Sequence, residues 1–215
     1  MDLIFLIFAL FALIYSIIIH EYAHGWMADQ LGDPTAKYAG RLTLNPLPHI
    51  DPIGSIFIPA MLVLFNAGFI FGWAKPVPFN PNNLSDKKYG SAKVAFAGPA
   101  SNFLIALFLG IILRICYTDI FSGYNFAVFS QLIAYVIWLN LLLGIFNLMP
   151  IPPLDGSKIF APFLPYKWQE IMLRLEQWGM LILILFIFLL FNPVILPILN
   201  FIFYLIVGVP FYYFM

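Results

Sequence analysis

Charge is what this sequence has least of. Lys, Arg, Asp and Glu make up 9% of its 215 residues, where a soluble domain carries about 25%. That deficit argues against an ordinary water-soluble fold. The ten basic and ten acidic residues cancel to a formal net charge of zero, so there is no basic footprint for nucleic acid. A single cysteine, Cys116, excludes an internal disulfide and a cysteine-based zinc site. Three histidines are too few for the ligand set of a histidine-rich di-iron membrane oxidase. The first apolar run has neither a basic n-region nor a small-residue cleavage site, so it reads as a retained helix rather than a signal peptide.

What replaces charge is hydrophobic side chains, at 63% of the sequence. Apolar stretches fall at 3–31, 53–72, 93–117, 126–149 and 179–209, close to or above the roughly 20 residues that cross a hydrocarbon core. The expected fold is an all-α polytopic membrane protein of about four to six transmembrane helices. It has a re-entrant or broken segment and proline-rich extended loops. One membrane-embedded domain takes up 1–215, with a core at 1–160 and amphipathic and apolar segments at 164–215.

The first run leads into His20-Glu21-Tyr22-Ala23-His24. On a helix, residues four apart share a face with Cβ atoms about 5–6 Å apart. Two imidazoles so placed can share one Zn²⁺, and the intervening Glu21 is free to act as general base. Ionisable residues in an apolar helix are costly and must face protein or a water-filled cavity. Ser16, His20 and His24 fall on that one face. Gly32-Asp33-Pro34 should end the helix, since glycine closes helices and proline cannot continue them.

Further along, the prolines of 33–51 argue against helix, and 38–44 is expected to be extended. His49 lies in this connection. It is a ligand or gate residue near the metal or, as the preferred reading, a polar residue in an interfacial turn. The segment Lys75-Pro76-Val77-Pro78 favours extended backbone, which suits a rigid loop or pairing with a substrate strand. Asn102, in Gly98-Pro99-Ala100-Ser101-Asn102, either glues helices together or supports the metal site from behind. Three prolines then break the chain after Asn147, in Met149-Pro150-Ile151-Pro152-Pro153-Leu154-Asp155-Gly156. Irregular backbone at membrane depth is tolerated only in protein or beside a cavity. Asp155 is either a third metal ligand or simply an N-cap. The stretch 179–209, interrupted by Asn192-Pro193 and Pro197, is one kinked helix or a short hairpin.

The motifs at 20–24 and 155 can share an ion only on one side of the membrane, and three apolar stretches intervene. One of them should therefore not cross, and 53–72, broken by Pro59, Asn66 and Gly68, is the best candidate. The charge pattern agrees. Lys37, Arg41, Lys75, Lys87, Lys88, Lys93, Lys158, Lys167 and Arg174 lie in three loops, and 118–125 has no Lys or Arg. Positive residues mark the cytoplasmic side, which places the metal site toward that face.

Taken together, the His20–His24 motif, Gly98 to Asn102 and Asn147 to Gly156 resemble the site-2 proteases, the intramembrane zinc metalloproteases. Gly32-Asp33-Pro34, Arg41-Leu42-Thr43-Leu44-Asn45-Pro46 and Gly72-Trp73-Ala74-Lys75-Pro76-Val77-Pro78 resemble their compact prokaryotic branch. The resemblance implies that His20, His24 and Asp155 hold one catalytic Zn²⁺ and that Glu21 is the base. It also makes Asn147 a candidate to hold the substrate strand or the oxyanion. The expected partners are a transmembrane protein substrate and the lipid bilayer, in the cell (inner) membrane of a prokaryote. The rival readings are a proteolytically silent membrane scaffold and a transporter. Transporters share the broken helices, but no internal repeat is seen. Neither the substrate nor the oligomeric state is legible.

Overall fold

Most of the first apolar run folds as one helix, α1 (Leu3–Gln30), in a computed structural model that describes residues 3–65, 72–117 and 124–214. The helix ends as the Gly-Asp-Pro signal implies. Gly32 takes φ +96°. Its amide donates to the Asp29 carbonyl at 3.1 Å, and the Asp33 amide donates to that of Ala28 at 2.9 Å. These are the two bonds of a Schellman cap, whose left-handed residue is unstrained only as glycine.

The connection at 33–51 differs from expectation. Instead of an extended 38–44, the chain forms a one-turn helix, α2 (Thr35–Tyr38), directly after Pro34, and a 3₁₀ turn at Leu47–His49 with Pro48 inside it. A proline in a first turn lacks only an N–H that has no intrahelical partner, so it starts such turns rather than forbidding them. Gly40, at φ +65°, then reverses the chain. No strand occurs among the described residues.

A π-helical turn at Pro52–Phe57 runs into α3 (Ile58–Leu64). Together they fall short of the roughly 20 residues a crossing needs. The chain then returns to where it left. The Trp73 amide donates to the Gly54 carbonyl at 3.1 Å, and that of Lys75 to the His49 carbonyl at 2.9 Å. Ser55 Oγ donates to the Trp73 carbonyl at 2.8 Å. The segment therefore enters and leaves on one side. The expected breaks at Asn66 and Gly68 lie outside the described residues. The chain runs through 72–80 without helix or strand and turns once more at Pro81–Asn83.

Two long helices follow, α4 (Gly90–Tyr117) and α5 (Tyr124–Asn147). Residues 118–123 of the loop between them, which has no Lys or Arg, lie outside the described residues. The start of α4 meets the end of α1, and the second half of α5 meets both, so the three run alternately up and down. Beyond the proline-rich break come α6 (Asp155–Phe160), the amphipathic α7 (Tyr166–Glu176), α8 (Gly179–Leu190) and α9 (Leu196–Val207). A π-helical turn at Phe191–Ile195, containing Pro193, joins α8 to α9. The pair is one kinked span, not a hairpin.

Four helices among the described residues are long and apolar enough to cross a membrane: α1, α4, α5 and the α8–α9 span. The last of these packs Ile195, Leu199 and Phe203 against Leu113 of α4 and Ile137 and Leu141 of α5, all buried. In lipid such contacts stabilise by close packing rather than by removing surface from water.

Candidate metal centre

Three elements far apart in sequence, α1, α4 and α6, converge on a single point. His20, Glu21 and His24 lie near the end of α1, where one helical turn puts both imidazoles on the face toward α4. Their rings meet edge to face with centroids 4.6 Å apart. Gly98 of α4 faces them without a side chain, so the helix can approach. A Cβ there would lie 2.4 Å from His24 Nε2 and 2.7 Å from His20 Cε1. Asp155 arrives from the opposite direction, at the start of α6. The tight return from α5 requires Gly156, whose Cβ would lie 2.2 Å from the Met149 carbonyl oxygen.

Asp155 is not the N-cap of α6. Leu154, with extended backbone, holds that position, and Asp155 is the first helical residue. Its carboxylate points at the histidines instead. Oδ2 lies 3.1 Å from His20 Nε2 and 3.2 Å from His24 Nε2, and the two Nε2 atoms are 3.0 Å apart. Two ligands at about 2.0–2.1 Å on a tetrahedral ion are separated by about 3.3 Å, so the three atoms form a ligand triangle of the right size. Burial works against the Asp155 charge. The two imidazoles beside it outweigh that effect and hold the carboxyl well below the usual carboxylate range, in the ionised form a metal requires.

The tautomers follow from the partners on the far side of each ring. His24 Nδ1 lies 2.7 Å from the Val94 carbonyl oxygen, which can only accept, so Nδ1 carries the proton. His20 Nδ1 lies 2.6 Å from Asn102 Oδ1. Asn102 is oriented in turn, because its Nδ2 donates to Asn140 Oδ1 at 2.9 Å. Asn140 Nδ2 donates to Ser16 Oγ, also at 2.9 Å. Each ring thus turns its Nε2 toward the triangle, the nitrogen that metal-ligating histidines offer to the ion when the other is hydrogen-bonded. Ser16, Asn102 and Asn140 are all buried, and every polar group in this chain of bonds has a partner, as an apolar setting demands. Two histidines and a carboxylate suit Zn²⁺ and leave a fourth tetrahedral position for a reactant.

Glu21 stands beside the triangle rather than in it. Its Oε2 accepts the Val77 amide at 2.8 Å, which ties it to the segment 72–80. Asn147, at the end of α5, donates Nδ2 to its own helix at the Leu143 carbonyl, 3.0 Å away. His49 is buried in the loop layer, where Nε2 donates to the Thr43 carbonyl at 3.0 Å. It is not part of the ligand group, which among the described residues contains only His20, His24 and Asp155.

Sequence reasoning passed over three residues here. Asn140 stood out as a polar residue in an apolar helix, seven positions before Asn147, and that was a usable signal. Asp33 enters the sequence reading through the Gly32-Asp33-Pro34 turn, as a helix stop and as part of the resemblance. It is fully buried and accepts from Thr35 Oγ1, the Asn80 amide and Asn83 Nδ2. Burial pushes its carboxyl up, and these bonds outweigh that and hold it below its ordinary range. Arg41, which the sequence offers as a loop charge and as the start of the Arg41–Pro46 stretch, is also buried. It donates to the carbonyls of Pro48, Lys75 and Pro76.

The model of peptidase family M50 matches residues 118–190. The chain is 38% identical over 192 residues to the "Putative zinc metalloprotease YwhC" of Bacillus subtilis, covering 87% of this chain and 84% of that protein. It is 32% identical over 170 residues to the "Putative zinc metalloprotease Rip2" of Mycolicibacterium smegmatis, covering 79% of this chain and 62% of that one. The Mycobacterium tuberculosis protein of the same name is 27% identical over 173 residues, with the same two shares. No solved structure matches the chain.

Proposed function

We propose the following division of labour in this chain, which belongs to peptidase family M50 and is an intramembrane zinc metalloprotease. His20, His24 and Asp155 hold the zinc. When bound, the ion lends Lewis acidity to the scissile carbonyl and to the attacking water. Glu21 is the general base: with Oε2 occupied by the Val77 amide, Oε1 takes the water proton and passes it to the leaving amine. Asn102, backed by Asn140 and Ser16, keeps His20 in the ligating tautomer. Asn147 is the donor for the substrate strand or the oxyanion, once its side chain leaves the Leu143 carbonyl. The convergence of three ligand atoms beside Glu21, at the end of a membrane-length helix, carries this reading.

The substrate is a transmembrane protein segment. It must unwind locally, because a hydrogen-bonded helix shields its carbonyls from attack, so Gly, Pro or Asn near the cut should favour cleavage. The protein resides in the cell membrane of a prokaryote with the site toward the cytoplasm. In support, nine of the ten Lys and Arg residues lie in segments at the site's end of the bundle, and Arg114 alone is near the other end. Cysteine labelling that put positions 37 and 87 on opposite sides of the membrane would refute that orientation.

The test of the activity is zinc content beside proteolysis of single-span membrane substrates, for the unmodified protein and Glu21→Gln. One zinc in both, with cleavage by the unmodified protein alone, is the expected result. Absence of zinc from well-folded protein would overturn the site.

A further inference from the structure

The segment 75–80 is held at both ends by buried charges, and its middle touches the proposed base. At one end Arg41 Nη2 donates to the carbonyls of Lys75 and Pro76, the latter at 3.3 Å, while Nη1 donates to that of Pro48. At the other end Asp33 accepts the Asn80 amide at 2.5 Å and Asn83 Nδ2 at 2.9 Å. Between them, Val77 lies against α1. Its side chain is buried and fills the space left by Gly25, one turn beyond Glu21. A Cβ at Gly25 would stand 2.9 Å from Val77 Cγ1. Pro76 and Pro78 have no N–H, so Val77 supplies the one amide between Lys75 and Phe79, and that amide meets Glu21 Oε2 at 2.8 Å.

The Pro76 carbonyl and the Val77 amide belong to the same planar peptide unit. A cation sits at its oxygen and an anion at its N–H. Charge at one end polarises the unit and strengthens the hydrogen bond at the other. We infer that the Pro76–Val77 peptide is a positioning device for the general base, and that Arg41 is the positioning residue that drives it. The peptide fixes one carboxylate oxygen of Glu21 and leaves the other free for the proton it must move. A base held in this way needs no reorganisation at the moment of reaction, and a misplacement of about 1 Å in such a group costs on the order of 100-fold in rate. Arg41 is also a buried guanidinium that, apart from its unpartnered Nε, spends its donors on backbone carbonyls, those of Lys75 and Pro76 in this segment and that of Pro48 in the loop beside it.

This inference rests on the proposed role of Glu21, so its test keeps the two apart. The unmodified protein and Glu21→Gln serve as the pair that establishes cleavage. Two variants remove the Val77 N–H. Val77→Pro suits a residue already confined to extended backbone by the proline after it. Replacement of Val77 by its α-hydroxy acid leaves the side chain in place and serves where the proline variant fails to fold. Arg41→Gln and Arg41→Lys test the cation. The expected result is a kcat lower by tenfold or more for both Val77 variants and for Arg41→Gln, with KM within about twofold and zinc affinity unchanged, and partial recovery in Arg41→Lys. A raised KM with kcat intact would make the segment a substrate-binding strand and overturn the inference. So would loss of zinc parallel to loss of activity, or unchanged kinetics, in a background where the unmodified protein cleaves and Glu21→Gln does not. Failure of the unmodified protein to cleave beyond Glu21→Gln would instead remove the premise.

Discussion

Gly98→Ala tests the metal centre through one methyl group. The added Cβ would lie 2.4 Å from His24 Nε2, 2.5 Å from His24 Cε1 and 2.7 Å from His20 Cε1. Non-bonded carbon contacts settle at about 3.5–4.0 Å, so each ring must retreat by about 1 Å. Metal–ligand distances tolerate only about 0.2 Å. Both histidines therefore lose their ligating position together. Losing a support behind a ligand costs about 10–100-fold in metal affinity. Displacing two ligands should reach at least the upper end, about 2.8 kcal/mol at 1.4 kcal/mol per tenfold.

The fold itself should not suffer. In the metal-free protein the imidazoles can rotate aside, and alanine is favoured over glycine within a helix by about 0.8–1.0 kcal/mol. The assay is a zinc titration against a competing chelator, beside melting curves with and without zinc. The expected outcome is a metal-free melting temperature equal to or above that of the unmodified protein, loss of the zinc-induced rise, and affinity down by about 100-fold. Gly110→Ala is the control. Its Cβ would meet Ile206 Cγ2 at 2.3 Å, an equally severe clash at the α4–α9 contact, so it should lower stability and leave zinc affinity alone. Zinc affinity of Gly98→Ala within threefold of the unmodified protein would refute the geometry.

Asn102→Leu strands two buried groups, His20 Nδ1 and Asn140 Oδ1. Each unsatisfied group costs about 1–3 kcal/mol, and the loss behind His20 costs about 10–100-fold in zinc affinity; thermal unfolding and the chelator titration read the two effects, and an unchanged affinity would mean the tautomer is set elsewhere. Asp33→Asn removes an acceptor of hydrogen bonds from Thr35, Asn80 and Asn83, so it should melt lower at neutral pH. Because the folded pKa of Asp33 lies below its unfolded value, its contribution is complete above about pH 4 and fades as pH falls through the folded value. The gap in melting temperature between the two proteins should therefore narrow on acidification, and a gap that stayed constant or widened would contradict the assignment.

How far the sequence could be read follows from which groups do the supporting. The H-E-x-x-H spacing is local, and helical geometry alone places His20 and His24 on one face. The shallow course of 53–72 was legible because two independent signals, broken apolarity and loop charge, gave the same parity, and the bonds from Trp73 and Lys75 back to Gly54 and His49 agree with it. Asp155 lies 135 positions from His20, and a leucine-aspartate-glycine turn taken alone reads as a cap. Only the proline break before it and the resemblance separated the two readings. The misreading of 33–51 came from treating proline as a helix breaker everywhere, when Pro34 and Pro48 sit in first turns where the lost N–H costs nothing.

The remaining supports have no residue identity to read. His24 is oriented by the carbonyl of Val94 and Glu21 by the amide of Val77, and any residue except proline supplies both groups. Gly98, Gly25 and Gly156 act through atoms they lack. Such features appear in a sequence only as constraints on what must be small or unbranched, and a single sequence does not show constraints. The buried charges are different. In a chain this poor in charge, each ionised side chain that is buried away from water needs a partner to offset its desolvation. Asp33 and Arg41 sit in short polar loops, where a charge is ordinarily solvated, and that is why they were passed over. Their own side chains turn inward and are buried while much of the surrounding loop stays exposed, so the same scarcity of charge that identified a membrane protein also makes every buried charge near the site a candidate for function.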